Sequence, residues 1–179
     1  TYTATDGSTQ QITVTITGTD DASVITGTIA GAVNEGDLGD TVTATGSIAI
    51  SDIDDDDAPT FNDVGSTVGD NAYGSFALSS GTWTYTLDQS AVQDLDAGDV
   101  VNYTMTYTAT DGSTQQITVT ITGTDDASVI TGTVAGAVNE GNLGDTVTAT
   151  GSIAITDADD DDSPVFNDVG STVGDNAYG

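Results

Sequence analysis

The chain repeats itself with a period of 105 residues, and this repeat constrains the fold more than any other feature of the sequence. Residues 1–74 align without gaps with residues 106–179. The two segments differ at six positions, which are Ile29/Val134, Asp37/Asn142, Ser51/Thr156, Ile53/Ala158, Ala58/Ser163 and Thr60/Val165. A period of this length exceeds the roughly 20–50 residues of a solenoid repeat and is the size of one domain. It predicts a tandem array, with the tail of one copy at residues 1–21, a complete copy at residues 22–126 and the N-terminal part of the next copy at residues 127–179.

Short runs in which apolar and polar side chains alternate predict strands throughout the complete copy. Turn signals separate these runs, and Ser79-Ser80-Gly81 reads as the turn of a β-hairpin. The predicted strands are Ser23–Val33, Thr41–Ser51, Thr60–Val64, Tyr73–Leu78, Thr82–Leu87, Val101–Ala109 and Gln116–Thr122. About seven short strands in a domain of this size, with almost no helix, predict an all-β fold of tandem immunoglobulin-like β-sandwich domains.

Three finer predictions concern the connections and the aromatic residues. Gly65–Gly69 is predicted to be a Gly-rich turn, and Ser90–Leu95 to be a single helical turn. The stretch from Leu95 to Tyr103 resembles a tyrosine corner ahead of the sixth strand. Trp83 and the tyrosines alternate with Thr, which favours a place in the core over the alternative of an exposed platform that stacks on sugars.

Every charged side chain in the protein is negative. The sequence has 29 Asp and Glu residues and no Lys, Arg or His, which gives a net charge of −29. Nucleic acids and anionic membranes are not expected partners, because both are bound through Lys and Arg. No apolar run approaches the roughly 18 residues of a membrane span, so we expect no membrane insertion. A disordered acidic segment is one alternative, but the alternating runs favour a folded protein whose counter-ions are metal cations.

The predicted strand order collects the acidic residues at the two ends of each sandwich. Successive connections alternate between the ends, so Asp52–Asp57 and Asp111 share one end of the copy. Glu35, Asp94–Asp99 and the exit segment Gly123-Thr124-Asp125-Asp126-Ala127 share the other end. We call this exit segment the second seam, and its repeat at Gly18–Ala22 the first seam. At the second seam, Glu35, Asp125 and Asp126 are predicted to face Asp157 and Asp159 of the next copy.

Such crowded carboxylates require a counter-ion. Two carboxylates 4 Å apart repel by about 1 kcal/mol in water and by about 4 kcal/mol at an effective dielectric of 20. Calcium accepts irregular cages of six to eight oxygen ligands, whereas magnesium demands an octahedron and zinc prefers His and Cys. The sequence therefore predicts calcium as the metal, with the alternative that the acids only confer solubility. The predicted metal ligands are Asp20, Asp21, Glu35, Asp52, Asp54, Asp55, Asp56, Asp57, Asp63, Asp94, Asp96, Asp99, Asp111, Asp125, Asp126, Glu140, Asp157, Asp159, Asp160 and Asp161.

Five motifs carry a resemblance to a known family. They are GTDDA at the seams, NEG after the first strand, SDIDDDD after the second, GTWTYTLD, and YTATDGSTQQITVTITG. Together they resemble the calcium-dependent, immunoglobulin-like extender repeats of giant bacterial adhesins, the VCBS and cadherin-like repeats of RTX adhesins. Among these, the sequence is most similar to the tandem-repeat region of the ice-binding RTX adhesins. The match covers the whole period.

The resemblance implies a location and a metal arrangement. It implies an extracellular fibre on the cell surface, exported by type I secretion, with calcium between neighbouring domains. The layout is also similar to that of cadherins, which implies that Glu35, Asp125 or Asp126, and Asp157 with Asp159 hold the ion. Neither the nonapeptide calcium repeats of the family nor its ice-binding domain is found in this sequence.

The leading functional prediction is a structural spacer. Acidic sandwiches, rigidified by calcium at each seam, would project a distal ligand-binding domain away from the cell, with neighbouring identical repeats of the same chain as partners. The alternative is an adhesive module for glycan or ice, with Thr118, Thr120 and Thr122 as an ice-binding face. Plain β-propensity explains these threonines more simply. No enzymatic activity and no small-molecule substrate are expected, although a pair of carboxylates is in principle able to cleave glycosides.

Overall fold

A computed structural model describes residues 1–172 and shows a protein that is nearly all β. The strands are β1 (Tyr2–Thr3), β2 (Thr9–Gln10), β3 (Val24–Gly27), β4 (Ala30–Asn34), β5 (Thr43–Ser51), β6 (Val64–Val68), β7 (Gly74–Ser79), β8 (Thr82–Leu87), β9 (Val100–Thr108), β10 (Thr114–Thr122), β11 (Val129–Gly132) and β12 (Ile153–Thr156). The predicted helical turn is a 3₁₀ turn at Gln89–Ala91. In the described part of the chain, no helix has the length and apolar character needed to cross a membrane. Residues 173–179 of the predicted last copy lie outside the described residues.

Two sheets account for the strands between β3 and β10. The larger sheet has the order β3-β5-β8-β7-β6, and the smaller sheet has the order β4-β10-β9. Neighbouring strands run antiparallel, except that β4 runs parallel to β10. The predicted first strand, Ser23–Val33, therefore divides into β3 and β4, because the chain crosses from one sheet to the other after Gly27.

A single hydrophobic core fills the space between these two sheets. Phe76 and Tyr85 of the larger sheet meet Tyr103 of the smaller one, with ring centroids 5.5 and 5.4 Å apart. Ile117 and Ile121 are completely buried behind them. Each large apolar side chain buried in this way contributes roughly 1.5–3 kcal/mol relative to an exposed one. The alternation predicted for these strands is thus confirmed, and the buried aromatic rings offer no platform to a sugar.

Trp83 fixes the place where the chain changes sheets. Its Nε1 atom donates a hydrogen bond to the carbonyl oxygen of Thr28, 2.7 Å away, between β3 and β4. The indole ring lies over Gly46 of β5, where an added Cβ atom would lie 2.5 Å from Cζ2. Glycine is needed at this position because any side chain would displace the ring.

Two local predictions are wrong. The strand predicted at Thr60–Val64 is replaced by β6 at Val64–Val68, and the residues before Val64 contribute only an isolated bridge between Phe61 and Ala109. Most of the supposed turn at Gly65–Gly69 belongs to β6 instead, which pairs with β7 through an irregular register between Val64 and Thr67. A glycine inside a strand commonly marks such a bulge, and here it was mistaken for a turn signal.

The predicted tyrosine corner is also not found. The Tyr103 hydroxyl donates to the carbonyl oxygen of Gly74 at 2.8 Å and accepts from the backbone N–H of Gly69 at 2.5 Å. Both partners lie at the β6–β7 connection, far upstream of the Leu95–Tyr103 stretch. The buried hydroxyl therefore ties the smaller sheet to the larger one.

The flanking partial copies keep the strand pairing of the complete copy but not its burial. β1 pairs with β2 in the register of β9 with β10, since Thr3 faces Thr9 as Thr108 faces Thr114. β11 likewise pairs with β12 in the register of β3 with β5. The burial of equivalent side chains differs between the complete and the partial copies. Ile121 is 0% exposed, whereas its counterpart Ile16 is 89% exposed.

We predict that Gly46→Ala lowers the free energy of unfolding by about 1–3 kcal/mol, because the added methyl group overpacks the ring of Trp83. Urea denaturation followed by the fluorescence of this one tryptophan measures the change. Gly65→Ala is the matched control, since its added Cβ atom meets nothing within 4 Å. We expect the control to change stability by no more than about 0.5 kcal/mol. Equal effects of the two substitutions would contradict the packing argument.

Candidate metal centre

The second seam is held by hydrogen bonds to the complete copy on its upstream side. The backbone N–H of Thr124 donates to Oε2 of Glu35 at 3.2 Å. The N–H of Gly123 donates to the carbonyl oxygen of Asp99 at 2.9 Å, and Gly98 donates back to the carbonyl of Gly123 at 3.3 Å. The Glu35 side chain is itself oriented by Gln93, whose Nε2 atom lies 3.2 Å from Oε1.

The next copy holds the same seam from its downstream side. The N–H of Asp126 donates to Oδ2 of Asp159 at 2.8 Å. Asp157 accepts hydrogen bonds from the N–H of Asp159 at 3.3 Å and from the hydroxyl of Ser128 at 2.5 Å. The acidic loop after β12 is therefore folded around the seam.

Two further contacts join the copies directly. The N–H of Asp161 donates to Oδ1 of Asp96 at 3.2 Å, and the N–H of Asp160 approaches the carbonyl oxygen of Asp94 at 3.4 Å. The loop that carries Asp94 and Asp96 thus meets the acidic loop of the following copy. The structure brings together the two acidic ends that the strand order placed at this seam.

Two groups of three carboxylates stand out within residues 1–172. Asp125, Asp159 and Asp162 form the second-seam triad, in which one oxygen of each residue lies within 4.8 Å of the others. Asp20, Asp54 and Asp57 form the first-seam triad by the same criterion. Each member of one triad lies 105 residues from its counterpart in the other, so the repeat builds the same arrangement twice. Either group has a geometry that is able to hold a metal ion.

Asp162 was missed by the sequence reasoning. The signal was available, because Asp162 is the counterpart of the predicted ligand Asp57 one period later. The acidic run alone does not reveal which of its residues turn inwards. Carrying every residue of the first acidic loop over to the second would have found it.

Asp159 is the residue of the triad whose environment most needs a cation. Its side chain is only 4% exposed, and among the described residues nothing donates a hydrogen bond to its buried Oδ1 atom. Oδ2 of Asp126 is buried and unpartnered in the same part of the structure. A buried carboxylate oxygen without a partner is costly, and this sequence has no Lys, Arg or His to compensate it. A donor set made only of carboxylate oxygens fits a hard divalent cation.

The first seam is a natural reference for the second. Asp21 donates its N–H to Oδ2 of Asp54 at 2.7 Å, as Asp126 does to Asp159. Asp54 is nevertheless only half-buried, whereas Asp159 is buried. The complete copy packs against the second seam through Glu35 and Asp96, and this contact accounts for the greater burial of Asp159.

The electrostatics of the second seam oppose full ionisation. Burial raises the pKa of Glu35, and the charges of Asp126, Asp159 and Asp94 raise it further. Burial likewise raises the pKa of Asp126, and the charge of Asp159 raises it further. Both groups take up protons more readily than an exposed carboxylate, which is the behaviour of a site that attracts positive charge.

Several predicted ligands have other hydrogen-bonding roles. Asp63 accepts from the N–H of Ser80 at 2.6 Å and thereby closes the β7–β8 hairpin. The hydroxyl of Ser23 lies 2.9 Å from Oδ2 of Asp52 and 2.6 Å from Oδ2 of Asp111, at the upstream end of the copy. These three acids belong to neither triad.

The remaining predicted ligands are placed as follows. Asp55, Asp56 and Glu140 are exposed, and no carboxylate of theirs joins a triad. Asp99 contributes its backbone carbonyl to the second seam. Asp21 contributes its N–H to the first seam.

No protein-family model matches this chain, and no curated protein matches it.

The raised pKa of Glu35 predicts a pH dependence in metal-free protein. The folded state holds a proton on Glu35 above the ordinary pKa of 4.5, where the unfolded state has lost it. Stability in EDTA should therefore fall as the pH rises from about 4.5 towards neutrality. Glu35→Gln should make this fall shallower, although Asp126 keeps part of it.

Thermal or urea unfolding at a series of pH values measures the slope. Glu140→Gln is the matched control, because Glu140 is the exposed counterpart of Glu35 one period later. It should leave the slope unchanged. Parallel curves for Glu35→Gln and the parent protein would show that Glu35 is not the titrating group.

Proposed function

We propose that this chain is part of a structural extender of a cell-surface adhesin. Tandem immunoglobulin-like, cadherin-like sandwiches are rigidified by calcium at their seams and project a distal ligand-binding domain away from the cell. One observation carries the proposal. The Asp159 carboxylate is buried at the junction of two copies, with an unpartnered oxygen beside Asp125 and Asp162, in a chain without a single cationic side chain.

Calcium suits this site better than the other common metals. The triad and its neighbours Asp126 and Asp157 offer oxygen atoms only, which argues against zinc. The triad comes from a linker and a loop, which suits the variable coordination of calcium better than the strict octahedron of magnesium. Extracellular calcium sites typically bind at about 10⁻⁴–10⁻³ M, so such a joint fills outside the cell and stays empty in the cytosol.

The length of the copy supports the proposed role as a spacer. β5, β9 and β10 each have nine residues, and at about 3.4 Å per residue each spans about 30 Å. A stiff seam keeps successive copies in line, so that their lengths add along one direction. Copies with the same negative charge also repel one another sideways, which opposes collapse of the array. The resemblance to RTX adhesin extenders supports the extracellular location and type I secretion.

The alternative of an adhesive glycan-binding or ice-binding module has less support. Trp83, Tyr85 and Tyr103 are buried and unavailable for stacking on a sugar. Thr118 and Thr120 lie on β10, the middle strand of its sheet, and are half-buried. Catalysis is not part of the proposal, because crowded carboxylates that share a cation are not free to act as an acid and a base.

The seam proposal is tested by calcium titration of the parent protein and two variants. Asp159→Asn removes the buried carboxylate of the second seam, and Asp54→Asn removes its counterpart at the first seam. We expect Asp159→Asn to weaken the tighter calcium site at least about tenfold, or about 1.4 kcal/mol. Asp54→Asn should leave that tighter site intact. Isothermal calorimetry measures both.

Stiffening of the seam is tested in solution. Calcium should raise the melting temperature and increase the largest dimension in small-angle X-ray scattering, and EDTA should reverse both. Replacing Asp125 and Asp126 with Asn together should remove the calcium-dependent extension and leave the complete copy folded. Scattering curves that are identical with and without calcium in the parent protein would refute the rigid joint.

A further inference from the structure

β9 has the composition of a strand that self-associates. It lies at the edge of the smaller sheet, beyond β10. Its nine residues, VVNYTMTYT, include no charged residue and no proline. Long, uncharged strands of high β-propensity at a sheet edge are templates for pairing with another chain. In this otherwise strongly acidic protein, such an edge needs protection.

Asp70 bonds the segment Gly69–Asn71 across the middle of this edge, and Thr60 and Phe61 pair with the chain just beyond its C-terminal end. In an antiparallel strand, the backbone groups of alternate residues face the same side. Thr104 donates its N–H to Oδ1 of Asp70 at 3.1 Å and its hydroxyl to Oδ2 at 2.8 Å. Asn71 reaches the carbonyl oxygen of Asn102, two residues along the same edge, at 3.5 Å.

The segment that carries Asp70 is held tightly against β9. A Cβ atom added to Gly69 would lie 2.8 Å from the carbonyl oxygen of Thr104, so the chain passes in direct contact with the strand. The N–H of Gly69 donates to the buried Tyr103 hydroxyl. Ala72 has a φ of 63°, a left-handed conformation that costs energy in a residue other than glycine. These features position Asp70 in front of the middle of β9.

We propose that β9 is a latent self-association surface whose partner is β9 of a second molecule of this protein, and that Asp70 keeps it closed. An incoming strand needs the N–H of Thr104, which the Asp70 carboxylate occupies. Pairing would also leave that carboxylate against an uncharged strand, where no basic side chain of either molecule is available to neutralise it. Asp70 belongs to neither carboxylate triad, so this role is independent of metal binding at the seams.

Asp70→Ala tests the proposal against a closely matched control. Asp88 has the same bonding pattern, because its Oδ1 atom accepts from the N–H of Ser90 at 3.1 Å and from the Ser90 hydroxyl at 2.7 Å. Asp88→Ala therefore removes the same charge and the same type of contact, at the 3₁₀ turn. Sedimentation equilibrium is measured in EDTA with about 1 M NaCl, where the screening length of about 3 Å suppresses the general repulsion between molecules.

We expect the mass of Asp70→Ala to double at a concentration at which the parent protein and Asp88→Ala remain monomeric. The interface is located with Thr106→Cys, an exposed β9 position in a protein that has no cysteine of its own. A flexible bismaleimide, which tolerates different strand registers, should cross-link Thr106→Cys in the Asp70→Ala background and leave it monomeric in the parent background.

Two results would overturn the proposal. One is an Asp70→Ala protein that is folded by near-ultraviolet circular dichroism and stays monomeric, and the other is a dimer that does not cross-link through residue 106. If Asp70→Ala fails to fold, Asp70→Asn decides in its place, because the amide keeps one acceptor oxygen and loses the charge. Asp70→Asn should then dimerise more than the parent protein, and a monomer would refute the role of the charge.

Discussion

The structure depends on which groups neutralise or hydrogen-bond the carboxylates of a protein that has no cationic side chain. Most of the partners that the structure does provide are backbone N–H groups and hydroxyls. Asp63 bonds to the β7–β8 hairpin, Asp70 to the edge of β9, and Asp88 to the first turn of the 3₁₀ segment. At the second seam these donors no longer suffice, and Asp159 retains a buried oxygen without one. The metal hypothesis follows from this shortage of donors more than from the number of acids.

The first seam shows the contacts that one copy forms by itself, and the second seam shows the further contacts that the preceding copy adds. The N–H to carboxylate bond that shapes the acidic loop is 2.7 Å at Asp54 and 2.8 Å at Asp159, so each copy forms it from its own residues and the linker before it. Burial of the loop requires the preceding copy, which contributes Glu35 and Asp96. Cation binding and the docking of neighbouring copies are coupled by this arrangement, because the contact that buries Asp159 also raises its need for a counter-ion.

Much of the fold could be predicted from the sequence, and the errors share a cause. β8 matches its predicted bounds, and the alternating core positions of β10 are buried as expected. The predicted third strand was misplaced because β6 pairs with β7 through a bulge between Val64 and Thr67. The stretch from Leu95 to Tyr103 was predicted to be a tyrosine corner, whereas the partners of the Tyr103 hydroxyl lie at the β6–β7 connection. In both cases the decisive contact is made with a different strand, and the local pattern of apolar and turn residues does not show it.

The sequence by itself determined the local pairing of strands and the placement of acids between them. Alternation and turn residues act over a few positions, which is why β1 and β2 keep the register of β9 and β10 without the rest of the copy. Only the tertiary structure decided what is buried, since Tyr107 is 3% exposed and its counterpart Tyr2 is 70% exposed. The same holds for the acids. Loops with the same acidic residues form a half-buried cluster at the first seam and a buried one at the second, because burial depends on a neighbour that the local sequence does not contain.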